Sequence, residues 1–122
     1  MTRLSLRLDF PGGRRLGPGK VALLERIQST GSISAAGRSI GMSYKRAWDL
    51  VDDLNQTFRE PVVVTRLGGT QGGGAALTPF GADLVARYRA MEALARQALS
   101  ADVDALEAGL AVSQEAPIRP PS

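Results

Sequence analysis

The 122-residue sequence contains no cysteine and no histidine. Those absences exclude disulfide staples, thiolate or imidazole zinc sites, and Ser-His-Asp or Cys-His catalysis, each of which needs a missing side chain. Long apolar runs are lacking as well: Val21-Ala22-Leu23-Leu24 and Val62-Val63-Val64 fall far short of the ~20 residues that span a bilayer. The amino-terminal residues alternate polar and apolar, without the continuous apolar stretch of a secretion signal. A carboxylate pair for acid–base work is not apparent, because the adjacent Asp52 and Asp53 point about 100° apart on a helix. The expectation is one cytoplasmic domain with a modest core, no metal, no cofactor, no membrane contact and no enzymatic activity.

What is present is positive charge, unevenly placed. Residues 1–90 hold 13 basic and 7 acidic side chains, whereas residues 91–122 hold 2 basic and 5 acidic. All but two of the basic residues are arginine, suited to bidentate contact with phosphate or guanine. A basic body with an acidic end predicts a polyanionic partner for the body; an arginine bias of purely compositional origin would look the same.

Periodicity divides the chain. Leu4, Leu6, Leu8 and Phe10 alternate with polar residues as in a half-buried strand, broken by Pro11-Gly12-Gly13, with Arg14-Arg15 in the loop that follows. From Pro18 a helix carries Val21, Leu23, Leu24 and Ile27 and ends near Gly31. Either Ser32 or Ser34 caps a short second helix, which Gly41 terminates. Ser43 caps a third helix, Tyr44 to Phe58, stopped by Pro61. Val62 to Leu67 is strand-like, Gly68 to Gly74 a glycine-rich loop, and Ala75 to Leu77 the returning strand. Thr78-Pro79 opens a long helix with Leu84, Tyr88, Met91, Ala95 and Ala98 at alternating steps of four and three. Val103, Leu106 and Leu110 either extend that stripe or belong to a separate helix capped by Ser100. Residues 111–122, rich in proline, read as a disordered tail.

On the third helix Ala47, Val51, Leu54 and Phe58 share a core-facing arc with Leu50 at its edge, and Lys45, Asp49, Asp52 and Gln56 lie opposite. Lys45 and Arg46 stand at the start, with Asp49, Asp52 and Asp53 one turn later. A helix lying flat on phosphates would not carry three acids there, but one entering a groove by its first turn can, since its positive dipole end leads. An ordinary amphipathic helix with a solvated face would share the pattern. Ala36 and Gly37 allow the second and third helices to cross closely. The glycine-rich loop reads as a wing from which Arg66 and Thr70 reach phosphates; a plain loop is the other reading, and a nucleotide cradle lacks its Lys-Ser or Lys-Thr.

Gly31-Ser32-Ile33-Ser34, Gly41-Met42-Ser43-Tyr44-Lys45-Arg46-Ala47-Trp48-Asp49 and Gly68-Gly69-Thr70-Gln71-Gly72-Gly73-Gly74-Ala75-Ala76-Leu77-Thr78 together resemble the N-terminal domain of the ModE family. These are molybdate-responsive, LysR-like winged helix–turn–helix transcription regulators. The resemblance covers about residues 3–100 and implies a mainly α fold with a small β-hairpin, a winged helix–turn–helix and a long C-terminal dimerisation helix. It also implies a homodimer binding double-stranded DNA at a palindromic operator. Under it residues 1–110 form the DNA-binding and dimerisation domain, with the reading unit at 18–78 and the long helix at 79–99 or beyond. The implied DNA-reading set is Ser32, Ser34, Ser43, Tyr44, Lys45, Arg46, Trp48, Arg66, Thr70 and Gln71. The implied dimer interface is Leu24, Ile27, Leu84, Tyr88, Met91 and Ala95. Larger family members carry β-barrel domains that bind molybdate or tungstate; this chain ends before one could begin, so an oxyanion effector is not expected on it. Gln71 stands where the family commonly has lysine, which leaves Arg66 as the wing's nearby cation.

Single residues admit two roles. Trp48 either packs at the helix crossing or contacts bases, and Tyr44 serves both roles, stacking on Trp48 while its hydroxyl meets a phosphate. Lys45 is the clearest reader, Arg46 serves phosphate or base equally, and Arg14, Arg15 and Lys20 either flank the site or are solvated. A protein-interaction module that kept the fold and lost operator recognition is the alternative function.

Overall fold

The computed structural model describes residues 2–66 and 74–111. Thr70, Gln71 and the rest of the loop from Leu67 to Gly73, together with the tail from Val112, lie outside the described residues. Among the described residues the chain is mainly helical, with five α-helices and two two-stranded antiparallel sheets.

At the amino terminus Leu4, Leu6, Leu8 and Phe10 are half-buried while Arg3, Ser5, Arg7 and Asp9 are exposed. That is the alternation read from the sequence. Only Leu8–Asp9 (β1) joins a ladder, pairing with Arg15–Leu16 (β2) in the register Leu8 to Leu16 and Asp9 to Arg15. This sheet corrects the reading of Arg15 as loop, while Arg14 stays outside the strand. Gly12 and Gly13 take φ of 84° and 81°, left-handed values that fold the chain back and that glycine adopts without steric cost.

Pro18–Thr30 (α1) begins on proline and ends at a left-handed Gly31, whose N–H donates to the Ile27 carbonyl at 2.8 Å. Ile33–Ser39 (α2) is capped by Ser32, whose Oγ accepts from the Ala35 N–H at 3.1 Å; Ser34 is already inside the helix. The turn runs through Gly41 at φ 74° to Tyr44–Thr57 (α3), capped by Ser43. A Cβ on Gly37 would come 2.8 Å from that of Ala47, so α2 and α3 cross at a distance only glycine permits.

Val63–Arg66 (β3) pairs with Gly74–Leu77 (β4), from Val63 opposite Leu77 to Arg66 opposite Gly74. Three hydrogen bonds position this hairpin. The Ala75 N–H donates to the Gly31 carbonyl at 2.9 Å, and the Asn55 Oδ1 on α3 accepts from the N–H groups of Val62 and Val63 at 2.7 and 3.1 Å. Thr78 caps Pro79–Ala98 (α4), accepting from Gly81 at 2.9 Å. Helix α4 breaks at Leu99, and Ser100–Ala108 (α5) follows as a separate helix without a side-chain cap.

The core joins Leu16, the inner faces of α1, α3 and α4, and Val62-Val63. Wholly buried Ile27 and Leu54 each contribute roughly 1.5–3 kcal/mol by leaving water. Leu24, Ile27, Leu84 and Tyr88, expected at a dimer interface, are buried in this core within the single chain. Met91 and Ala95 remain half-buried.

Candidate nucleic-acid interface

The first turn of α3 is set by Ser43, whose Oγ accepts from the Arg46 N–H at 3.1 Å, satisfying one of the free donors at the helix start. Because Ala47, Val51 and Leu54 are buried, the opposite face of that turn must look outward. Tyr44 is 66% exposed and Trp48 39%, so Trp48 is not enclosed at the helix crossing. The two rings meet edge-on, with centroids 6.2 Å apart and planes at 61°, rather than stacked.

The Lys45 Nζ donates to the Asp49 carboxylate at 2.7 Å, in a pair whose side chains are 84% and 58% exposed. An exposed pair of this kind contributes only ~0.3–0.5 kcal/mol, so Lys45 can exchange it for another anion at little cost. Arg46 is exposed and, among the described residues, has no ion pair. Ser32 and Ser34 lie half-buried at the start of α2 with their Oγ atoms 3.3 Å apart. Arg66 is exposed at the end of β3, opposite Gly74. Thr70 and Gln71 lie outside the described residues.

The acids of α3 do not all face solvent unpaired. Asp53 accepts from the Arg14 Nη1 at 2.8 Å and from the Lys20 Nζ, which joins the N-terminal hairpin and the start of α1 to α3. The hydrogen bond from Lys20, against some desolvation, holds the Asp53 carboxyl below the usual range. Asp52 is engaged by the Gln56 amide at 3.1 Å. Neither the Asp53 cluster nor the Asn55 clamp was visible in the sequence, since both depend on partners in distant elements.

Apolar surface remains uncovered farther along. Leu94, Leu99, Leu106 and Leu110 are exposed; Leu106 and half-buried Val103 lie on α5 three residues apart, Leu99 precedes that helix and Leu110 follows it. No helix among the described residues is long and apolar enough to cross a membrane.

No family model matches the chain. It is 52% identical over 88 residues to the molybdenum-pterin-binding protein MopB of Rhodobacter capsulatus, a match covering 72% of this chain and 33% of that protein. It is 45% identical over 92 residues to the molybdenum transport protein ModE of Azotobacter vinelandii, covering 75% of this chain and 33% of that one. The DNA-binding transcriptional dual regulator ModE of Escherichia coli K12 is 37% identical over 91 residues, 73% of this chain and 35% of that protein. Over roughly three quarters of its length the chain is thus similar to ModE and Mop proteins. It spans about a third of the length of these curated relatives. Of the ModE and Mop names matched, none describes an enzyme.

Proposed function

We propose that the chain is a sequence-specific, double-stranded-DNA-binding transcription regulator of the ModE N-terminal type, acting on genes connected with molybdenum. Helices α2 and α3 serve as its helix–turn–helix and the β3–β4 hairpin as its wing, within a reading unit at 18–78. The observation that carries this reading is the first turn of α3. It presents Tyr44 at 66% exposure, with Trp48 one turn later at 39%, beside two cations at the positive end of the helix. Lys45 would read a base edge or phosphate, Arg46 a flanking phosphate or base, and Tyr44 a phosphate through its hydroxyl. Similarity to proteins named as transcriptional regulators supports the same reading.

A homodimer on a palindromic operator belongs to the proposal. The apolar residues on and flanking α5, Leu99, Val103, Leu106 and Leu110, are the surface it would bury, since Leu24, Ile27, Leu84 and Tyr88 are buried within the chain. Selection of duplexes from a random library by the purified chain tests the function. An enriched palindrome with steeply salt-dependent binding is expected, and recovery of no sequence would refute it. A second reading, a protein-interaction module on the same fold, draws on exposed Asp49 and Asp52 beside the reading turn. Under it, binding to duplex DNA would be absent at low salt too.

A further inference from the structure

A cleft of about 370 Å³ lies between the N-terminal hairpin and α3, lined by Arg15, Lys20, Arg46, Asp49, Leu50 and Asp53. Its charges are not equivalent. Asp53 takes both Lys20 and Arg14, so that cluster keeps one surplus positive charge but offers no free carboxylate. Asp49 is taken by Lys45. Arg15 has only a 3.7 Å contact with Asp9, whose carboxylate sits closer to Arg7 at 2.9 Å. Arg46 has no ion partner among the described residues. Two lightly committed guanidiniums therefore contribute to the lining from opposite elements, above an electropositive floor.

We infer that the cleft receives a backbone phosphate of bound duplex DNA between Arg15 and Arg46, making the N-terminal hairpin a DNA contact additional to the reading helix and the wing. This rests on the function proposed above. A duplex whose major groove accepts the first turn of α3 carries one of its backbones along each flank of that turn. Arg46 lies on the first turn and lines the cleft, so the flank it faces is the hairpin side. Planar guanidinium groups suit such a phosphate bidentately. A free nucleotide fits the cleft poorly, because Leu50 is the one apolar side chain in the lining available to cover its base.

The test is anisotropy titration of a labelled duplex carrying the selected sequence, and of a shuffled duplex, from about 50 to 200 mM salt. The full chain, Arg15→Ala, Arg15→Lys and Arg87→Ala are compared; Arg87 is an exposed residue of α4 paired with Asp83. Loss of one phosphate contact lowers the log–log salt slope by ~0.9, so the unmodified chain should lose about 3.5-fold more affinity than Arg15→Ala over that range. Arg15→Ala should weaken both duplexes by the same factor, and Arg15→Lys should retain the slope. A neutral methylphosphonate stepped along the duplex gives a second readout. One position should weaken the unmodified chain and leave Arg15→Ala indifferent. Should Arg15→Ala behave like Arg87→Ala while Lys45→Ala weakens binding, the hairpin contact is wrong and the regulator reading stands. If the unmodified chain binds neither duplex, both fall.

Discussion

Arg89 on α4 holds Glu25 on α1 through both carboxylate oxygens, Nε to Oε2 at 2.9 Å and Nη2 to Oε1 at 2.7 Å. Its remaining amino group reaches the buried Glu92 at 2.7 Å. The pair sets the long helix against the first one beside Tyr88, whose hydroxyl donates to the Leu6 carbonyl. One arginine thus fixes the relative position of α1 and α4.

Removing that arginine should cost more than removing one of its partners. Glu25 is 38% exposed, so Glu25→Gln should lose about 0.5–1 kcal/mol after solvent screening. Arg89→Leu strands Glu92 and should lose about 1–3 kcal/mol. Urea unfolding of the two variants gives the order, and equal losses would contradict it.

The hydrogen bond from Arg89 also lowers the Glu25 carboxyl below its usual range. A carboxyl lowered on folding stabilises the native state above its unfolded value, ~4.3, and that contribution is lost as pH falls through the folded value. The stability difference between the native chain and Glu25→Gln should therefore be constant near neutrality and shrink in acid. A difference that grows on acidification would reverse the sign.

Gly37 marks the crossing of α2 and α3. With its added Cβ 2.8 Å from Ala47, Gly37→Ala must push the helices apart and should cost about 1–3 kcal/mol. Duplex binding should weaken too, since the reading turn shifts with α3. A thermal melt and an anisotropy titration on the same sample separate the two effects.

Lys45→Ala should leave stability nearly unchanged, because its pair with Asp49 is exposed. Duplex affinity should fall by ~1–3 kcal/mol if Lys45 reads a base edge, and by a smaller amount common to all sequences if it contacts a phosphate. Unaltered binding in both Lys45→Ala and Arg46→Ala would remove α3 from the interface.

Leu106, 75% exposed on α5, should tolerate Leu106→Asp within a single chain while abolishing self-association through the apolar residues on and flanking that helix. Sedimentation velocity at tens of micromolar reads the outcome. An unmodified chain that is already monomeric would refute the proposed dimer.

Much of the helical framework was legible in the sequence because its signals are local. Caps at Ser43 and Thr78, a left-handed glycine at 31 and at 41, and the arc of Ala47, Val51 and Leu54 each follow from the residues within one or two turns. The outward direction of Lys45 was legible for the same reason, because burying one side of a helix exposes the other, whereas Tyr44 lies on the same side as Val51 and its exposure was not. Only the tertiary structure decided which apolar stripe is used internally. Leu24, Ile27, Leu84 and Tyr88 were expected at an interface, and packing of α1 against α4 buries them within the chain, whereas Leu106 on α5 remains exposed. It also decided that Asp53 draws Arg14 and Lys20 onto α3 and that Asn55 clamps the strand after it. Partnerships between residues tens of positions apart leave no trace in periodicity, since they depend on how distant segments meet rather than on the order of neighbours along the chain.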